Sequence, residues 1–281
     1  MNTVVLLTAL DLEYQAVRRH LDGPRVRSHP AGTVFEVGHL RDVAGTVALA
    51  VTGEGNVSAA VLAERAIAMF QPQALLCVGV AGGLKNDIAL GDVVVATKVY
   101  ALHGGRDYGD GFLARPRAWQ ASHELEQFAR YVARAGTWTG ILPPAPACRP
   151  PAVHFKPIAS GEVVLNAADT PLAARLRDTY DDAVAVDMES AGVAQAAHLN
   201  RSLPVLSVRG ISDRADTGKR AADAAGWQHV AAAHAAAFTV TMSALALRDQ
   251  TPAYWPAAGQ AVVRPRCRPI PGARTRSARI T

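Results

Sequence analysis

Three carboxylates, Glu13, Glu189 and Asp213, stand where a layered α/β chain would deliver them to a ligand. Glu13 follows the apolar run Val4–Thr8, and Glu189 follows Ala183-Val184-Ala185-Val186-Asp187-Met188, where a strand hands over to a helix. Asp213 closes the run Val205-Leu206-Ser207-Val208-Arg209-Gly210-Ile211-Ser212. In open α/β sheets, ligands bind in the crevice at the carboxyl ends of strands. A further apolar run, Ala74–Val80, ends in Ala81-Gly82-Gly83, read here as a turn that lets backbone approach a flat ligand closely. Acids gathered at such a crevice suit acid–base work on a small molecule, provided their environments separate their pKa values. Cleavage of a glycosidic bond is one such reaction. It needs an acid for the leaving group, a base for the nucleophile and negative charge beside an oxocarbenium-like sugar. Taken singly, each carboxylate fits a helix N-cap or a dipole partner equally well. Their joint placement is what points to chemistry.

The elements that must position these groups alternate along the chain. The patterns predict a strand over Val4–Thr8, a helix from Asp11 to Leu21, and strands over Thr33–Val37 and Val43–Thr52. A helix follows from Asn56, as its cap, through Phe70, then strands over Ala74–Val80 and Val93–Tyr100. Residues 101–150 read as loops around one helix, Ala118–Ala135. A short strand at Ile158–Gly161, a helix at Pro171–Tyr180, the two strand runs already quoted and a long alanine-rich helix, Ala221–Leu247, complete the pattern. Strands alternating with helices imply a layered α/β fold with a parallel or mixed sheet.

Composition narrows the function classes. The 281 residues are 49% hydrophobic and 19% charged, as in ordinary globular proteins. No uninterrupted apolar run reaches the roughly 18–20 residues of a membrane span, and the N-terminus reads as a first strand, not a signal peptide. The cysteines, Cys77, Cys148 and Cys267, form no paired framework, which fits a reducing, cytoplasmic setting. Net charge is +5, but residues 251–281 carry six arginines and no acid; removing those six charges leaves −1 for residues 1–250. The body therefore has no nucleic-acid footprint of its own. Residues 249–281 are expected to form a basic, disordered tail beyond a domain ending at residue 248. The nine histidines show no ligand spacing, so no metal is expected. The Gly-rich stretch Thr52–Ser58 lacks the Lys-Ser/Thr ending of a Walker loop.

The segments Gly79-Val80-Ala81-Gly82-Gly83-Leu84, Gly91-Asp92-Val93, Ser160-Gly161-Glu162, Val186-Asp187-Met188-Glu189 and Arg209-Gly210-Ile211-Ser212-Asp213 resemble the purine nucleoside phosphorylase superfamily. The methylthioadenosine/S-adenosylhomocysteine nucleosidases are the nearer branch. The likeness runs from Val4 to about Leu247 and is poorest over residues 101–150. It implies a three-layer α/β fold, a central mixed sheet flanked by helices. It also implies hydrolysis of the N-glycosidic bond of an adenine-type nucleoside or derivative, without a cofactor, by a homo-oligomer. By the same resemblance, Asp213 serves purine N7 with Ser212 positioning it, and Glu13 activates water. Glu189 holds the ribose hydroxyls and Met188 packs on the ribose. Ala81 and Gly82 line the pocket with backbone, and Val164 and Leu165 cover the purine.

Two alternatives stand beside this one: a phosphorylase, and a nucleotide-sensing or effector module of the same fold. Phosphorylases hold phosphate with an arginine shortly before the Gly-rich turn. Here Leu75–Val80 offers none, and Asp11 and Glu13 in the preceding loop favour water over an anion. Arg106, Arg115 and Arg117 are the arginines that could still reach a phosphate nucleophile, and the pair Arg115 and Arg117 would suit a 5′-phosphate on the sugar. The chain also departs from the nucleosidase pattern, with Val80 in place of a serine and Val164 in place of a stacking phenylalanine.

Overall fold

The computed structural model describes residues 2–109, 111–143 and 149–248. The expected tail, residues 249–281, lies outside them. The strands are β1 (Thr3–Thr8), β2 (Asp22–Ser28), β3 (Val34–His39), β4 (Thr46–Val51), β5 (Ala74–Gly83), β6 (Val93–Ala101), β7 (Gly105–Tyr108), β8 (Gly111–Ala114), β9 (Arg117–Gln120), β10 (Val153–Ser160), β11 (Ala185–Asp187) and β12 (Val205–Asp213). The helices are α1 (Asp11–Arg18), α2 (Asn56–Phe70), α3 (His123–Ala135), α4 (Pro171–Thr179), α5 (Ser190–Leu199), α6 (Lys219–Ala224) and α7 (Trp227–Arg248).

A mixed sheet of order β11-β10-β6-β12-β5-β1-β4-β3-β2 runs through the molecule, with β9 on β6. β1 shows how it is built. Val4 and Leu6 face a core shared with α1, α3 and α7, while Val5 and Leu7 face a second core shared with α2 and α5. A strand buried on both faces reads as a continuous apolar run, and β1 does. The result is the expected three-layer α/β arrangement.

Two features of the sheet make the site. β1, β5 and β12 are neighbours and mutually parallel, so their carboxyl ends, carrying Glu13, Gly82 and Asp213, lie together. β12 pairs with β6 in the opposite sense, and β10 and β11 follow the direction of β6. β11 then returns to pair antiparallel with the end of β5, Ala185 with Gly83 and Val186 with Gly82. β5, β12, β6, β10 and β11 thus close into a ring. Gly82 and Gly83 are therefore paired strand residues, not the turn expected from their type. Glu189 reaches the crevice on a strand that runs opposite to β5, not by sharing its direction.

Other differences have local causes. β2 escapes the pattern because it is an exposed edge strand, with Pro24, Arg25 and Arg27 where a buried strand would carry apolar residues. The helix expected from Ala118 begins at His123, because residues 117–120 pair with β6. The β7–β8 hairpin lies in the region read as loops. The terminal helix is split into α6 and α7 at Gly226, whose φ is +80°. Asn56 does not cap α2. Its amide instead donates to the Gly161 carbonyl and accepts from Ser160 Oγ and Gly192 N, tying α2 to β10 and α5. Finally, α7 is by length and composition apolar enough to cross a membrane, although no uninterrupted apolar run signalled it; 78% of its apolar window is buried inside the fold.

α7 lies on β12 so closely that a methyl group at Gly210 would overlap the Ala231 carbonyl. Backbone on both sides leaves little room to relax. Gly210→Ala is expected to lower stability by about 1–3 kcal/mol, read as a depressed Tm in thermal denaturation followed by circular dichroism. An unchanged Tm would mean that the two elements are not in contact there.

Candidate active site

Glu13, Ala81, Gly82, Val164, Leu165, Met188, Glu189, Ser212 and Asp213, the residues singled out in the sequence, all line one pocket of about 150 Å³. Glu13, Glu189 and Asp213 are respectively 2%, 5% and 3% exposed. The covering segment is more open: Leu165 is buried, while Val163 and Val164 are exposed. Arg106, Arg115 and Arg117 are absent from the pocket lining. Arg106 lies over the Tyr108 ring on β7, and Arg117 is on β9.

Each carboxylate is held differently. Glu13, in the first turn of α1, accepts from the Ala9 and Leu10 amides at 2.8 and 3.0 Å and from the Val80 amide at 2.7 Å. It thereby locks the ends of β1 and β5 together. Burial pushes its carboxyl above the usual range, against the pull of Arg209 and the three amides. Glu189 accepts from the Gly55 amide at 3.2 Å and lies 3.3 Å from Arg209 Nη2. Its carboxyl is pushed up to about 7, chiefly by burial, with Asp187 and Glu13 adding repulsion and Arg209 opposing. Asp213 Oδ1 accepts from the Ala215 amide at 2.8 Å; Oδ2 receives the Ser212 hydroxyl at 2.9 Å and the Lys219 ammonium at 2.8 Å.

Two functional groups were not singled out in the sequence. Arg209, in the middle of β12, is fully buried beneath the pocket. Its Nε lies 2.7 Å from Asp187 Oδ2, an ion pair without hydrogen-bond alignment. Nη2 reaches Cys77 Sγ, Ser190 Oγ and Glu189, and Nη1 has no hydrogen-bond partner. Burial works against its charge, but the surrounding acids, Asp187 foremost, hold its pKa above the ordinary arginine value. A methyl group at Gly79 would overlap both Glu13 Oε1 and Arg209 Nη1. Glycine there lets the Glu13 carboxyl and the Arg209 guanidinium pack directly against the β5 backbone. The signal was available: a lone arginine inside an apolar strand demands a buried partner. Lys219, at the start of α6, is the second omission and the only basic residue in the lining.

The lining also includes Glu54 and Asp187, so five carboxylates face or border this pocket against one ammonium. Among the described residues no group of three or more His, Cys, Asp or Glu side chains is arranged to hold a metal ion.

A three-layer α/β fold with an acidic pocket at its strand ends defines the class. The chain belongs to the phosphorylase superfamily, whose profile matches residues 3–244. It is 29% identical over 218 residues to the 5′-methylthioadenosine/S-adenosylhomocysteine nucleosidase of Chromohalobacter salexigens, covering 76% of this chain and 85% of that one. It is 30% identical over 249 residues to the ATP nucleosidase Cap17 of Escherichia coli, covering 77% of this chain but only 47% of that longer protein. Among solved structures, the Neisseria meningitidis methylthioadenosine/S-adenosylhomocysteine nucleosidase in complex with methylthio-immucillin-A superposes with a TM-score of 0.73 at 24% identity, over 87% of this chain and 100% of the other. The futalosine hydrolase of Helicobacter pylori gives 0.69 at 22%, over 86% and 97%. At these identities the structural likeness establishes the fold.

The Glu189 environment has a thermodynamic consequence. Its carboxyl titrates near 4.5 when free and near 7 when folded, so the folded state binds that proton more tightly. The stabilisation this gives is complete below about pH 4.5 and is lost as pH rises through about 7. Urea denaturation across this window is expected to show stability declining with pH, and Glu189→Gln to flatten the decline. A variant with the wild-type slope would place the titration elsewhere.

Proposed function

We infer that this chain hydrolyses the N-glycosidic bond of a purine nucleoside or nucleoside derivative. The observation that carries the reading is the pocket's charge pattern: carboxylates at both ends of a small cavity, and Arg209 buried beneath it.

The roles follow from the geometry. Asp213, with Ser212 beside it, serves N7 of the purine, so that the base departs neutral. As the C1′–N9 bond lengthens, positive charge grows on the sugar, and the Glu189 carboxylate stabilises it. The same carboxylate is the natural acceptor for the ribose hydroxyls, with Met188 packed beside the ring. Water is the nucleophile, and Glu13, whose carboxyl lines the pocket, takes its proton. Glu13 and Asp213 are the catalytic residues of this scheme. Val164 and Leu165 cover the base by aliphatic contact.

Water is favoured over phosphate by charge. A phosphate dianion brought in beside Glu13 and Glu189 would be repelled by each. At about 4 Å and an effective dielectric of 20, one such pair of unit charges costs about 4 kcal/mol. Arg209 lies outside the pocket lining, and its charge is offset by Asp187 and Glu189. A homo-oligomeric, cytoplasmic protein is proposed with this function. Val57 and Val61 lie exposed one turn apart on α2, as does Leu199 at the end of α5, which is apolar surface suited to a second subunit.

The test is release of free base from adenosine, methylthioadenosine, S-adenosylhomocysteine and ATP, with and without phosphate. Base and free sugar are expected in phosphate-free buffer, the panel reporting the accepted 5′ substituent. Glu13→Gln and Asp213→Asn are each expected to lose about 100-fold or more in kcat. Activity that appears only with added phosphate, accompanied by a sugar 1-phosphate, would overturn the hydrolytic reading.

A further inference from the structure

We propose that Lys219 is a positioning residue for the leaving group, supplying through Asp213 the proton that purine N7 takes up as the glycosidic bond breaks. The inference rests on the hydrolytic reading above.

Asp213 is hydrogen-bonded on both carboxylate oxygens. All of its partners are donors: the Ala215 amide to Oδ1, and the Ser212 hydroxyl and Lys219 ammonium to Oδ2. A carboxylate so surrounded is an acceptor, and purine N7 is an acceptor too. The two face each other productively only when a proton lies between them. Amide and hydroxyl donors do not give theirs up in this pH range, which leaves the lysine as the titratable donor in contact.

The surroundings place the lysine between solvent and the buried acid. Its side chain is 24% exposed while that of Asp213 is 5% exposed, so the ammonium bridges solvent and the buried acid. From β12 it faces Asp213, and from its own helix Asp223, whose buried Oδ1 lies 3.9 Å away without a hydrogen-bond partner. From α7, which packs on α6, neutral Gln228 lines the pocket, His229 is exposed, and His234 is bonded to the Gly91 carbonyl. From the connecting segment, Arg214 is bonded to the Lys85 and Ile88 carbonyls, and Asp216 to the Gly218 amide. The other pocket acids are Glu13, Glu54, Asp187 and Glu189.

The step balances as follows. The C1′–N9 bond breaks with both electrons leaving on the purine. The Lys219 ammonium passes a proton to the Asp213 carboxylate, which passes it on to N7. Water adds to C1′ and loses a proton through Glu13 to solvent, and solvent returns a proton to Lys219. The products are the neutral base and the free sugar, and the protein is restored.

Lys219→Met and Lys219→Arg, in the full chain, separate this role from a structural one. With methylthioadenosine or adenosine, whichever the wild type cleaves, Lys219→Met is expected to lose about 10- to 100-fold in kcat at neutral pH, with KM within about threefold of wild type. Its rate should recover as pH falls, because bulk solvent then supplies the proton that the lysine no longer does, while the wild-type profile stays flatter over the same range. Lys219→Arg keeps the charge but gives up its proton far less readily, so it should restore thermal stability without restoring the rate. A Lys219→Met enzyme with wild-type kcat, or one slowed equally at every pH, would overturn the proposal, as would full rate in Lys219→Arg. Failure of the hydrolytic reading itself is a different result: wild-type protein that releases base from no member of the panel.

Discussion

The site depends on one buried cation. Arg209 sits in the centre of the sheet with Asp187 and Glu189 in ion-pair contact and the charge of Glu13 nearby. Without it, three acids would share a water-poor interior with nothing to offset their mutual repulsion. Removing one member of such a buried pair typically costs about 3–5 kcal/mol, because the partner is left uncompensated. The guanidinium is therefore structural and chemical at once. It allows the acids to be buried, and with Glu13 it packs against the bare backbone at Gly79. Burial in turn separates the acids by environment. Glu13 is fixed by backbone amides, Glu189 by Arg209 and one amide, and Asp213 by a lysine and a hydroxyl. Three residues of nearly the same chemistry thus stand in three different hydrogen-bonding environments, which is what a reaction needing an acid, a base and a spectator anion requires.

Much of this was legible in the sequence, for identifiable reasons. β1 and β5 are continuous apolar runs because both faces are buried, β12 is one interrupted by Ser207 and Arg209, and pocket residues lie at or just past the end of each. The boundaries of α2 were readable because its alanine-rich face meets the sheet. The less legible parts were those whose stability comes from partners distant in sequence. β2 carries polar residues because it is an edge. Residues 117–120 become a strand because β6 offers them hydrogen bonds. The pairing of Gly82 and Gly83 with β11 is a ring closure, and no local pattern announces a ring. Asn56 looked like a cap because of its type and position, yet its amide serves two other elements. Arg209 was visible, but only as an anomaly. Its partners come from elements that precede it, and a single strand does not display them.

The glycosidase reading and the superfamily membership stand on different supports. Membership follows from the profile match over residues 3–244. The reading of chemistry follows from charge and placement, and would hold for any fold that set these groups around a cavity of this size.

The closed ring gives the cavity a particular construction. Its base is woven from paired strands, with β5 held between β12 and β11. The opposite side is formed by the short stretch at residues 163–165, which belongs to neither strand nor helix and leaves two valines in water. A scaffold of this kind separates durability from selectivity. The reactive groups are anchored in the woven part, whereas the stretch that touches the ligand's outer face is free to change in length and character without unpicking a single ladder bond. Variation in what related chains accept is then most economically written into that stretch, and recombining it between relatives is the natural route to new preferences on the same chemical frame.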